Sequence, residues 1–200
     1  MKFLTAMVFI LVTQNIFASD SILGREIDAK DQVGLPSLLV RYAPTTMALG
    51  NEEDGFGEEH DIHVFEIGLN GSYPLYSRLY FEGGLGAMIA NVDDSLYGDG
   101  NINWYGFYSE LGIVHKTFFG QKKSYDFGFR VGISGFLSGG DLTNKNGELT
   151  DVDHDGLSLL YFEPAIGINY NQFAILIGYK FVTDTVFNNS MPTLALKYYF

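Results

Sequence analysis

Chemically capable side chains stand at suggestive spacings in a few places along this 200-residue sequence. Asp151, Asp153 and Asp155, followed by Gly156, match the start of a calcium loop, where alternate carboxylates wrap a hard cation and glycine permits the sharp turn. The match stops there, because the twelfth position, which needs a bidentate Glu, is Phe162. Calcium at Asp151, Asp153 and Asp155 is therefore one expectation, and an ordinary acidic turn is the other. His60 and His63, beside Glu58 and Glu59, could hold a metal, although histidines in a polar segment are more often solvated. Acyl transfer needs a nucleophile and a base within hydrogen-bond reach, whereas Ser109 and His115, six residues apart on one strand face, stand roughly 20 Å from each other. Gly83, Gly84 and Gly86 lack the Lys-Ser/Thr pair and the following helix of a phosphate loop. No catalytic residue is assigned and no organic cofactor is implied.

Any such chemistry must be positioned by an unusual chain. It is 46% hydrophobic and 16% aromatic, with 24 glycines and only 18% charged residues, which points to membrane or all-β architecture. A formal net charge of −12 excludes a nucleic-acid partner, which needs a basic face. The absence of cysteine excludes disulfides, thiolate metal sites and lipid acylation at a cysteine. Lys2, the apolar run Phe3 to Val12 and the more polar end containing Ala18 predict a cleaved signal peptide over residues 1–19. That run is about half of the roughly 20 residues that a spanning helix needs. Residues 20–34 are expected to form a periplasmic N-terminal tail, and residues 35–200 one barrel domain.

Within that domain the period is two. Leu194, Leu196, Tyr198 and Phe200 share one strand face, opposite Thr193, Ala195, Lys197 and Tyr199. Tyr125, Phe127, Phe129, Val131 and Ile133 alternate with Asp126, Gly128, Arg130, Gly132 and Ser134 in the same way. Further alternating stretches over Leu35 to Tyr42, Ile62 to Gly71, Arg78 to Ile89, Trp104 to Lys116, Phe162 to Tyr170 and Phe173 to Val182 bring the count to eight. Long connections (Pro44 to Asp61, Asn91 to Asn101, Ser138 to Gly156, Thr183 to Ser190) alternate with short ones near Tyr73 to Ser77, Gly120 to Ser124 and Asn171 to Gln172. A soluble sandwich would turn its polar face outward, but here small and charged residues alternate with large aromatics on the other face. The pattern predicts an all-β fold: an eight-stranded antiparallel transmembrane β-barrel with long external loops and short periplasmic turns. Pro164, on the lipid face of an interior strand, suggests a bulge.

On these strands and the terminal Leu194, Leu196, Tyr198 and Phe200, the chain resembles the small outer-membrane barrels of the outer-membrane protein A and outer-membrane protein X type. The resemblance implies an outer-membrane location and recognition of the C-terminal run by the barrel-assembly machinery. It also implies outer-membrane lipid and lipopolysaccharide as surroundings. Barrels of this type include adhesion, stress-resistance and envelope-anchoring proteins as well as lipid-modifying enzymes.

The predicted register points Arg41, Glu66, Arg78, Glu82, Glu110, Lys116, Asp126, Arg130, Glu163, Lys180 and Lys197 into the lumen, six basic and five acidic. Uncompensated buried charge is expensive, so these groups are expected to pair and to plug the lumen. A two-residue turn at Asn171 and Gln172 sets Glu163 directly opposite Lys180. Fifteen of the 24 acids fall in the predicted external loops, giving an anionic outer rim suited to divalent cations or basic partners. The leading expectation is a non-enzymatic outer-membrane barrel serving envelope stability or surface interaction. A lipid-modifying enzyme and a small-solute pore are the alternatives.

Overall fold

The structure is a computed structural model that describes residues 34–48, 59–98, 100–144, 146–150, 158–183 and 190–200. Its strands are β1 (Ser37–Ala48), β2 (Glu59–Tyr76), β3 (Leu79–Asp93), β4 (Asn101–Phe119), β5 (Lys123–Ser138), β6 (Leu142–Thr143), β7 (Leu149–Thr150), β8 (Ser158–Tyr170), β9 (Phe173–Val182) and β10 (Ser190–Tyr199). Eight of them close an antiparallel barrel in the order β1-β10-β9-β8-β5-β4-β3-β2, while β6 and β7 make a small hairpin inside the β5–β8 connection. Among the described residues no helix is long and apolar enough to cross a membrane.

The register fixes the dimensions of the barrel. One row of outward residues runs Leu79, His115, Phe127, Ile166, Ile177, Leu194, Tyr42, Phe65 and back to β3 at Ile89, ten residues beyond its start. With a rise of about 3.3 Å per residue and strands about 4.8 Å apart, this stagger tilts the strands by about 41° and sets a backbone radius of about 8 Å. Such a lumen has room for side chains and little else.

Tight turns at Ser77–Arg78, Gly120–Lys122 and Asn171–Gln172 lie at one end, here termed the turn end, together with the start of β1 and the end of β10. Ser77 (φ 43°), Gly120 (φ 69°) and Asn171 (φ 52°) take the left-handed conformation that reverses the chain at each. The β2–β3 turn comes later than expected, because β2 runs through Tyr73 to Tyr76 with a register shift between Pro74 and Tyr76. Arg78 therefore sits exposed in the turn rather than in the lumen, a correction to the alternation argument, which assumed an unbroken strand.

At the opposite, loop end the strands outrun their expected limits. Pro44 to Ala48 pair with Glu59 to His63, and Asn91 to Asp93 with Asn101 to Asn103, where loop was expected. The reason is an inversion of polarity along the same strands. In β2, Phe65 and Ile67 point out and Glu66 in, but nearer the loop end Glu59, Asp61 and His63 point out and His60, Ile62 and Val64 in. β4 switches likewise, with Asn101, Asn103 and Tyr105 outward and Trp104 buried. The outer wall is thus apolar over the lower barrel, with Leu85, Leu111, Ile166, Ile175 and Leu196 each more than half exposed, and polar above it. Apolar-out alternation therefore ends before the strands do.

Pro164 produces no inserted residue. The β8–β9 ladder omits Glu163 and Pro164 and resumes at Phe162 with the register unchanged, so the proline costs hydrogen bonds without a bulge. The loss is confined to this seam, since Pro164 still opposes Phe129 on β5.

Candidate functional site

The inward positions of the lower and middle barrel carry five cations, Arg41, Lys116, Arg130, Lys180 and Lys197, and five carboxylates, Glu66, Glu82, Glu110, Asp126 and Glu163, all buried. Removing Arg78 from the expected set makes the formal charges equal. β1 supplies Arg41, whose Nη1 donates to Glu66 Oε2 at 2.6 Å and whose Nη2 donates to both Glu110 oxygens at 2.8 and 2.9 Å. Glu163 Oε2 stands 3.4 Å from the same Nη2. Lys180 Nζ donates to Glu66 Oε1 at 2.6 Å and lies 4.2 Å from the Tyr161 ring centroid. Glu82 collects Lys197 at 2.8 Å, Arg130 at 3.0 Å and Lys116 at 3.7 Å, and Lys116 also meets Asp126 at 2.6 Å.

Neutral donors add to the set, while Glu163 Oε2 and the Nε atoms of Arg41 and Arg130 remain without a hydrogen bond. Tyr161 OH and Asn70 Nδ2 donate to Glu110 at 2.9 and 3.2 Å, and Thr193 Oγ1 to Glu163 Oε1 at 2.6 Å. These residues share the inward parity of the charged ones but carry no formal charge to mark them in the sequence. Their importance follows from the low dielectric, where each carboxylate lone pair left without a donor is costly.

Glu163 shows where strand register ceases to predict contacts. Tyr170 opposes Phe173, and the pairs on both sides of Pro164 keep the register that sets Glu163 opposite Lys180. Yet Lys180 reaches Glu66 three strands away, and Glu163 turns to Arg41 and Thr193. In a barrel of this radius, a long side chain reaches the far wall as readily as its neighbour. Arg41–Glu110 and Lys197–Glu82 also join strands three apart, whereas Arg41–Glu66 and Lys116–Asp126 join residues directly opposed on adjacent strands.

Apolar side chains lie above and below the ions. At the turn end Leu39, Ala174, Leu176, Ala195 and Tyr199 pack with Tyr108. Tyr108 crosses the close approach of Gly68 to Gly86, where a Cβ on Gly68 would strike its hydroxyl and the Leu85 carbonyl. At the loop end a larger cluster including Ile62, Val64, Met88, Val92, Trp104, Phe136 and Leu142 occupies the lumen. Leu142 belongs to the β6–β7 hairpin, which is held over the barrel mouth by two contacts. Asp94 accepts from Thr143 N at 3.0 Å and Thr143 Oγ1 at 2.8 Å, and Trp104 Nε1 donates to Gly140 O at 3.0 Å.

The remaining candidates separate. His60 is buried, with Nδ1 2.9 Å from Asp93 O, whereas His63 points outward and its Nδ1 meets Tyr42 OH at 2.8 Å. Opposite faces prevent them from sharing a metal, and no cluster of three or more metal-ligating residues occurs among the described residues. Ser109 and His115 both face outward on β4 without contact. Asp151, Asp153 and Asp155 lie outside the described residues, as do residues 1–33 with the expected signal peptide. Leu194, Leu196 and Phe200 continue the apolar wall with Tyr198, and Phe200 N donates to Pro36 O at 3.2 Å. Near the loop end, hydrogen bonds from Ser95, side chain and then backbone N–H, hold the exposed Asp93 carboxyl below the usual carboxylate range.

No family model and no curated protein matches the sequence. Among solved structures, an outer membrane channel from Pseudomonas putida F1 aligns over 91% of this chain and 100% of its own, at 13% identity and a TM-score of 0.33. A likeness at that level carries no argument about activity.

Proposed function

We propose that this chain is a non-enzymatic outer-membrane barrel with a closed lumen, exposing an acidic outer rim for envelope stability or surface interaction. Membrane residence is supported by the outer wall. A closed barrel satisfies its own backbone, as a bilayer demands, and its lower exterior is a broad, predominantly apolar surface, broken by Ser109 and His115, that is unfavourable in water. The long connections at one end and tight turns at the other match the polarity of bacterial barrels, which orients the loop end outward.

The observation that carries the closed lumen is the charge-balanced, paired ion set beneath the loop-end apolar cluster. A water path requires both separating ion pairs whose members are nearly fully buried and wetting a cluster built around Trp104 and Leu142. Each step is unfavourable and neither assists the other. The test is single-channel recording of the refolded protein in planar lipid bilayers. A silent membrane under conditions where insertion is verified is the expected result, and a steady ohmic conductance would overturn the proposal.

A further inference from the structure

The exterior of the lower barrel is not evenly convex. Between β4, β5, β8 and β9 it carries a groove of about 630 Å³ lined by Thr117, Tyr125, Ile168, Tyr170, Phe173 and Ile175, within the range of small-molecule sites. Register orders its walls: Tyr170 and Phe173 form the row nearest the turn end, which Phe119 and Lys123 continue beyond the groove, and Thr117, Tyr125, Ile168 and Ile175 the next row up. The groove is therefore amphipathic along its axis. Its upper part is aliphatic and aromatic apart from His115 and Thr117, and beside its foot stands Lys123, with Nζ 5.5 Å from the ring centroid of the lining Tyr170.

Among the described side chains, exposed charge at this end has one sign. Arg78 and Lys123 are exposed at or beside the turns, and every Asp or Glu side chain among the described residues of the lower barrel is buried in the lumen. We propose that the groove retains an anionic phospholipid of the leaflet at the turn end, with its phosphate at Lys123 and an acyl chain along Tyr125, Ile168 and Ile175. A lipid is the occupant that fits both halves: hydrocarbon is the medium facing Ile168 and Ile175, and a basic residue at headgroup depth attracts anionic lipid. Tyr170 at the foot and Tyr125 in the row above it place aromatic rings near the turn end, where membrane proteins anchor at the interface. The inference rests on the bilayer residence proposed above.

Its test keeps the two apart. Insertion is measured first, by flotation and protease protection in dioleoylphosphatidylcholine vesicles. Native mass spectrometry then compares retention of dioleoylphosphatidylglycerol with that of the phosphatidylcholine, and a diazirine-bearing phosphatidylglycerol maps the contact. Preferential retention of phosphatidylglycerol, cross-links on β5, β8 and β9, and a roughly tenfold loss in K123Q are expected, the size of one charge-assisted hydrogen bond. Ile175→Trp, which fills the groove at an exposed position, should abolish the cross-links without affecting insertion. Equal retention of both lipids, an unaffected K123Q, or displacement by glycerol 3-phosphate alone overturns this inference and leaves bilayer residence standing. Failure to insert in any vesicle overturns both.

Discussion

Replacing Arg41 with methionine is the sharpest perturbation available in the lumen. Met fills much of the space of the arginine stem but leaves Glu66, Glu110 and Glu163 without the cation that stands 2.6, 2.8 and 3.4 Å from them. Lys180 still serves Glu66, and Arg130 Nε lies 3.8 Å from Glu110, so the deficit is one uncompensated charge shared by three carboxylates. Removing one partner of a buried ion pair costs about 3–5 kcal/mol, a large share of the stability of an ordinary domain. Urea titration of the protein in lipid vesicles, followed by fluorescence of the buried Trp104, measures it. Adding Glu110→Gln restores charge balance while keeping an acceptor for Tyr161, and should recover at least 2 kcal/mol of the loss. The reasoning fails if Arg41→Met costs less than about 1 kcal/mol, or if the double variant shows the two costs simply added.

Other outcomes follow from single contacts. Asp94→Ala removes both acceptors of Thr143, at about 1–3 kcal/mol locally, and should raise hydrogen exchange at the β6–β7 hairpin while leaving the β4–β5 ladder protected. Gly68→Ala should destabilise the barrel by about 1–3 kcal/mol in the same urea assay, with partial relief from Tyr108→Phe, which removes the hydroxyl it would strike. Asp93, whose carboxyl Ser95 holds low, contributes to its turn above the pH range of an ordinary aspartate and loses that contribution as pH falls through its folded value. An NMR titration in micelles should place its midpoint below that of free aspartate, and Ser95→Ala should raise it.

The alternation of Tyr125 to Ile133 and of Leu194 to Phe200, and the turn at Asn171 and Gln172, were legible in the sequence because facing and hairpin register are decided between neighbours in the chain. A side chain two residues along must face the same way, and a two-residue turn allows few pairings. Arg78 was misplaced because one irregularity at Pro74 to Tyr76 displaces the turn that follows it, and Pro74 marks the disturbance without fixing by how many residues the turn shifts. The loop-end inversion, with Ile62 and Trp104 inward, was hidden because strand residues beyond the apolar band obey the rule of soluble sheets.

The sequence by itself determined a barrel, the number of its strands and which charges face inward, apart from Arg78. Only closure of β1 against β10 decided the pairs that cross the lumen, whereas Arg41–Glu66 and Lys116–Asp126 follow from neighbouring strands. The stagger of ten residues and the radius of about 8 Å bring Lys180 to Glu66 and Lys197 to Glu82 across the lumen, past the residues beside them on the sheet. That geometry exists only when all eight strands are joined, so no local stretch of residues encodes it.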